Sequence, residues 1–331
     1  MNGQSSLKIG ASAFMGRNRM ALSALLFFAV MMLVFIIARP GLFLRPDIYL
    51  AIAVSLPALV VLAVPLVFIV VAGEIDLSFP AVTGVTGWVF AVALSHELPG
   101  PLALLAAVAA GVACGLLNAF LVTRMRLSSL VSTLGMGFLL RGLINIAREG
   151  HGIDLVDHVD DSFAKVLCGP IQRLGGIPAQ LLWATAFAAL GWALFNRHRF
   201  GARIKCIGDN PDSSREMGIN VSRTKAWAFI YMGVACAIAG AWGDLQNWTF
   251  YPTSGEGYLL YVIAAVFVGG TPTWGGTGTI VGAVIGACII GTIETGVIAC
   301  GLTGFYTQFF YGLIIVLSLT AHRFNKGRSR Y

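Results

Sequence analysis

The chain has 331 residues, 57% of them hydrophobic and only 11% charged, with a net charge of +7 and a mean hydropathy of +0.82. Soluble domains carry about 25% charged residues and disorder requires low hydrophobicity, so neither class fits. About 20 apolar residues cross a bilayer once. Ten crossings therefore take about 200 residues and leave no length for a second soluble domain.

Ten apolar segments follow in chain order: 20–38, 48–72, 79–95, 101–122, 129–147, 177–195, 226–243, 258–272, 278–298 and 305–321. They predict an all-α, polytopic membrane protein with about ten transmembrane helices. The first follows Lys8, Arg17 and Arg19, is long for the core of a signal peptide and lacks an A-x-A cleavage site, which reads as a retained span. The second contains Pro57 and Pro65, residues that kink or interrupt a helix. Between the second and third lies Gly-Glu-Ile-Asp-Leu-Ser at 73–78. Charges near membrane depth cost about 2.5–3.5 kcal/mol each and so face a cavity or a partner. For Glu74, Asp76 and Ser78 three readings stand: a turn in which Asp76 or Ser78 caps the next helix, a structural role beside a pathway, or direct contact with a solute.

Arg141 and Glu294 are the other ionisable residues within spans, both expected to face protein, with a mutual ion pair as one arrangement. Glu294 as a proton-coupling carboxylate lacks a companion relay. The segment 148–176 carries Glu149, Asp154, Asp157, Asp160 and Asp161. With His151 and His158 it has metal-ligand chemistry, but it reads better as an acidic, solvated loop. Together with 244–257 it is expected to form one external surface. There Trp248, Phe250 and Tyr251 suit an aromatic belt or contact with a soluble protein.

The segment 196–225 is the most charged loop. Asn210 followed by Pro211 is a helix start, with Asn at the cap and Pro at the first position. A short helix is expected over 211–217, stopped by Gly218. The loop is then either a solvated connector or a docking element. Gly269–Gly276 reads as a tight turn. Gly278, Gly282 and Gly286 recur every four residues, a spacing for close helix packing within the chain or along a seam with a second subunit. No G-x-x-x-x-G-K-[ST] and no complete G-x-G-x-x-G occurs. The six cysteines show neither CxxC nor zinc spacing, and most sit in apolar runs as small hydrophobes.

Basic residues concentrate on the cytoplasmic side of membrane proteins. With the N-terminus inside and ten crossings, 16 of the 22 Lys and Arg residues fall inside and five outside, with Arg141 within a span. Both termini are thus expected in the cytoplasm. The expected organisation is a tail over 1–19, one transmembrane domain over 20–321 and a basic tail over 322–331. The charge is an orientation signal and not a nucleic-acid footprint.

Four stretches carry a resemblance: GEIDLS at 73–78, STLGMGFLLRGL at 132–143, FGARIKCIGDNPDSSREMGINV at 200–221 and IAAVFVGGTPTWGGTGTIVGAVIGA at 263–287. In this order they resemble the membrane permeases of ABC importers for simple sugars of the ribose, galactose and xylose type. Glu74 stands where that family usually has Gly, and Phe79-Pro80 replaces a usual Val-Gly. The resemblance implies a bacterial inner-membrane transport subunit and no catalytic residues. It implies no cofactor of its own, ATP and magnesium being used by a partner ATPase. It also implies a second permease copy or homologue and a periplasmic sugar-binding protein as partners. The ATPase-coupling role it implies falls on Asp209, Asn210, Pro211, Ser213, Ser214, Arg215, Gly218, Ile219 and Asn220. Branched-chain amino acids or nucleosides are the competing cargoes. A lone ion-coupled transporter is a more distant reading, and a membrane enzyme finds no catalytic constellation.

Overall fold

The structure is a computed structural model and describes residues 19–303 and 305–328; Lys8 and Arg17 of the first tail and Arg330 of the second lie outside the described residues. The long helices are α1 (Arg19–Ala38), α3 (Pro46–Val71), α4 (Phe79–Ser95), α5 (Gly100–Ala119), α6 (Ser129–Arg148), α8 (Ala179–Asn196), α11 (Val221–Asn247), α12 (Tyr258–Val268), α13 (Ile280–Ala299) and α14 (Phe305–Arg328). Shorter ones lie between them: α2 (Pro40–Phe43), α7 (Ser162–Cys168), α9 (Arg199–Asp209) and α10 (Pro211–Glu216). Six of the helices are long and apolar enough to cross a membrane, and four shorter apolar ones accompany them. The protein is therefore a predominantly helical, polytopic membrane protein.

At the centre stands α3. It is apolar all round, as a helix buried on every side must be, and Val61, Leu62, Ala63, Val64, Val67 and Phe68 are wholly buried. It packs against α8, α11, α12 and α13. Contrary to the expectation from Pro57 and Pro65, the helix runs unbroken through both. Neighbouring side chains serve the exposed backbone instead: the Val54 carbonyl, one turn before Pro57, accepts from Gln180 Nε2 (3.0 Å) and Gln246 Nε2 (3.1 Å).

Small residues set the closest approaches. A Cβ on Gly111 of α5 would lie 2.2 Å from the Gly233 carbonyl of α11, and one on Gly233 2.0 Å from that of Gly111. Apolar burial does not drive helices together in lipid, so such backbone proximity does. Gly282 and Gly286 play the same part between α13 and α12, each abutting a carbonyl of the facing segment (Gly269 and Ala265). Gly278 precedes α13 and meets Val71 and Thr271, so the three glycines do not share one helix face.

Several boundaries depart from expectation. The segment 196–225 is almost wholly helical, because α9 precedes α10 and α11 already starts at Val221. The reason for α9 is amphipathic: Gly201, Ile204 and Ile207 are buried while Arg199 and Arg203 are exposed, and His198 caps it by accepting from the Phe200 amide (3.1 Å). α12 stops at Val268, short of residue 272, and α14 continues through much of the expected C-terminal tail.

Candidate functional site

Where α3 ends, the chain becomes extended over 74–78 before α4 begins. Gly73 makes the turn with φ +80°, a conformation that suits glycine. Extended backbone inside a helical bundle needs partners, and α6 supplies them. Ser129 Oγ accepts from the Ile75 amide (3.1 Å) and Thr133 Oγ1 from the Leu77 amide (2.9 Å). Asp76 is 2% exposed. Its Oδ1 accepts from the Ser78 amide (2.8 Å) and the Ser78 hydroxyl (2.6 Å), while Ser78 Oγ accepts from Asn118 Nδ2 (2.7 Å). Asp76 thus closes a turn with Ser78 ahead of α4, and neither side chain caps the helix. Glu74 turns the other way and forms an ion pair with Lys225 on the first turns of α11, both side chains about 15% exposed.

The extended segment follows α6 from Ser129 to Gly137. Arg141 lies one turn further along, about 18 Å from Ser129 at 1.5 Å per residue. It donates to the carbonyls of Pro252 and Ser254 (2.9 Å to Ser254) and is 3.4 Å from Glu256. The expected Arg141–Glu294 pair is therefore not formed; among the described residues Arg141 has its own carboxylate on the 252–256 turn. Glu294 lies near Tyr258, Tyr261 and Tyr311 instead. The 252–256 turn also reaches α4, where a Cβ on Gly255 would lie 2.3 Å from the Pro80 carbonyl. Two irregular segments, 74–78 and 252–257, thus converge on the first turns of α4 from opposite ends of the bundle.

Beside them runs a buried polar seam of Ser78, Thr83, Thr86, Asn118 and Asp244, each at most 2% exposed. Sequence reading missed Asn118, and it placed Asp244 on an external surface. The structure buries Asp244 inside α11, with Oδ2 facing Gly87 and no hydrogen-bond partner. The signal for it was present: helical apolar spacing continues to Leu245. Phe250 is likewise in the core and not on an aromatic belt. It pairs with Ile153 in a two-residue ladder, β1 (Ile153–Asp154) with β4 (Thr249–Phe250), which ties the 148–176 and 244–257 segments together; β2 (Pro170–Ile171) and β3 (Ile177–Pro178) form a second such ladder.

At the opposite end, Val71, Gly208 and Gly276 meet backbone to backbone. The Gly276 amide donates to the Val71 carbonyl (2.9 Å), and a Cβ on Gly208 would lie 1.7 Å from it. Next to this junction stands α10. Asn210 Oδ1 accepts from the amides of Asp212 (3.0 Å) and Ser213 (3.1 Å), Pro211 occupies the first helical position and Arg215 pairs with Asp212. Gly218 ends the helix with φ +78°. Ser214 is buried, whereas Asp212, Ser213, Arg215 and Glu216 are exposed. Asn220 then caps α11 by accepting from the Arg223 amide (2.9 Å). A polar pocket of about 430 Å³ joins Glu74, Arg126, Arg215, Ser222 and Lys225, so the capped helix and the extended segment border one space.

Residues 48–319 match the family described as the branched-chain amino acid transport system / permease component. The chain is 31% identical over 264 residues to the ribose import permease protein RbsC of Escherichia coli strain K12, covering 78% of this chain and 80% of that one. It is 29% identical over 262 residues to RbsC of Bacillus subtilis strain 168, covering 79% and 80%. It is also 29% identical over 262 residues to the autoinducer 2 import system permease protein LsrC of Yersinia enterocolitica, covering 79% and 71%. With the match running from the start of α3 into α14, the chain belongs to this family of transport-system permease components.

Proposed function

We propose that the chain is the translocation subunit of an ATP-driven bacterial importer for a monosaccharide or related polyol. The likeness over 264 residues to a ribose import permease carries this reading. The chain crosses the inner membrane about ten times, and the end that holds α9 and α10 faces the cytoplasm. The exposed face of α10 receives a partner ATPase. A second permease copy completes the pathway, and a periplasmic binding protein delivers the sugar at the end that holds the β1–β4 ladder.

The geometry supports a route for force. Movement of α10 acts on α11 through Asn220 and on the extended segment through the Lys225–Glu74 pair. That segment sets the position of α4. Irregular backbone beside a cavity at membrane depth is where transporters place substrates and gates. Asp76 and Ser78 hold the segment together, Arg141 holds its counterpart, and the pathway switches between inward and outward populations. ATP and magnesium belong to the partner subunit.

The test is uptake of labelled pentoses and hexoses by proteoliposomes containing the permease, its ATPase and its binding protein. Uptake is expected only with ATP inside and binding protein outside. The family description also favours a second cargo class, so leucine uptake in place of sugar would select the amino-acid reading. Sugar uptake by the permease alone, driven by a proton gradient, would refute the importer.

A further inference from the structure

A second pocket, of about 690 Å³, opens between α8, α9 and α11. Its lining is ordered by polarity. Arg199 and Arg203 on α9 and Arg223 on α11 supply its basic groups. Residues three and four apart share a helix face, and Arg223 is followed on that face of α11 by Trp227, Ile230 and Val234, all lining the pocket. Along α11 the groove therefore passes from the Arg223 guanidinium through a half-exposed indole (Trp227, 52%) to aliphatic side chains, over about 16 Å at 1.5 Å per residue. None of the three arginines has an acidic partner within ion-pair distance among the described residues. Tyr231 also lines the groove, and its buried hydroxyl has no hydrogen-bond partner.

From this arrangement we propose that the groove is a binding site for an anionic phospholipid of the cytoplasmic leaflet. Three unpaired guanidiniums match a phosphate headgroup, for which Arg supplies forked donors. An indole suits the membrane interface. The aliphatic floor accepts the acyl chain. A purely proteinaceous partner at the cytoplasmic surface would have no use for the floor, which continues down a transmembrane helix to Val234. Gly218 and Asn220 border the same groove, so a bound lipid would brace the hinge between α10 and α11. The leaflet assignment rests on the orientation proposed above; the lipid chemistry does not.

Native mass spectrometry of the full-length permease, titrated with phosphatidylglycerol or phosphatidylcholine, tests this. Phosphatidylglycerol is expected to be retained at least tenfold better. The double variant Arg203→Gln with Arg223→Gln should abolish the preference. Ile230→Gln should weaken retention with all charges kept, and Arg173→Gln outside the groove should change nothing. Equal retention of both lipids, or a preference that survives the double variant, would overturn the site. So would displacement of the lipid by millimolar inorganic phosphate, which would mark a free-anion site. Loss of ATPase assembly in the double variant with an intact lipid preference would assign the groove to the ATPase and overturn the proposal. A Met217→Cys variant labelled from the periplasm would overturn the leaflet assignment alone and leave the lipid preference standing.

Discussion

The Lys225–Glu74 pair is the residue contact on which the proposed route depends. Both side chains are largely withdrawn from solvent at the edge of the polar pocket, and each is the other's ion-pair partner. Removing one partner of a buried pair strands a charge at a cost of about 3–5 kcal/mol, whereas replacing both is often close to neutral. Lys225→Met is therefore expected to lower the thermal stability of the detergent-solubilised protein sharply, with uptake lost. Adding Glu74→Gln should restore most of the stability and leave uptake impaired, because the connection between α11 and the extended segment is still absent. Thermal unfolding and uptake measured on the same three variants check this. Full recovery of uptake in the double variant would remove the pair from the mechanism. The pair was not legible in the sequence, because 150 positions separate the partners and Glu74 sits where the resembled family usually has glycine. By contrast, the Asn210-Pro211 helix start and the Gly218 stop were legible, since capping is decided within four residues by backbone donors and φ.

At the scale of elements, the helices were read well and their ends less so. Apolar length locates a span, but the last turn depends on partners that composition does not reveal. α12 ends at Val268 because the chain beyond packs its backbone against α13, where Gly269 and Gly282 abut. α9 was missed as an element although its apolar positions at 200, 204 and 207 carry a helical period; its charge made it resemble a loop. The candidate site was legible as a list of residues and not as an arrangement. Ser129, Thr133 and Asn118, which hold the extended segment, are ordinary polar residues in apolar runs, and only the fold shows what they bond. The element with the clearest prediction is α10, capped and with its outer residues exposed. Arg215→Glu with Gly218→Pro reverses a charge on the exposed face and forbids the left-handed stop, since proline fixes φ near −65°. The permease should still insert, as α10 lies outside the bundle core, but copurification with the ATPase and ATP-driven uptake should both fall at least tenfold. Unchanged copurification and uptake would show that the loop is only a connector.

For the whole molecule, the separation of loops between the two ends carries the argument about orientation. The segments that the charge count assigns to one side, 73–78, 124–126, 196–225 and 273–277, meet around the Val71–Gly208–Gly276 junction and the Glu74 pocket. Those assigned to the other, 148–176 and 244–257, meet in the β1–β4 ladder. The proposed even number of crossings keeps this division, and the excess of Lys and Arg on the first side is the argument for placing that end in the cytoplasm. Single cysteines at Met217, 64% exposed beside α10, and at Val156, 57% exposed beside β1, report the two ends directly. In a background whose six native cysteines are replaced by alanine, a membrane-impermeant maleimide should label Val156→Cys in intact spheroplasts and spare Met217→Cys. Inside-out vesicles should reverse the pattern. Labelling of both sites from the same face would contradict the two-ended division and the ten-crossing arrangement with it. A reversed pattern would keep the fold but place α10 in the periplasm, where no ATPase reaches it, and the importer reading would fall.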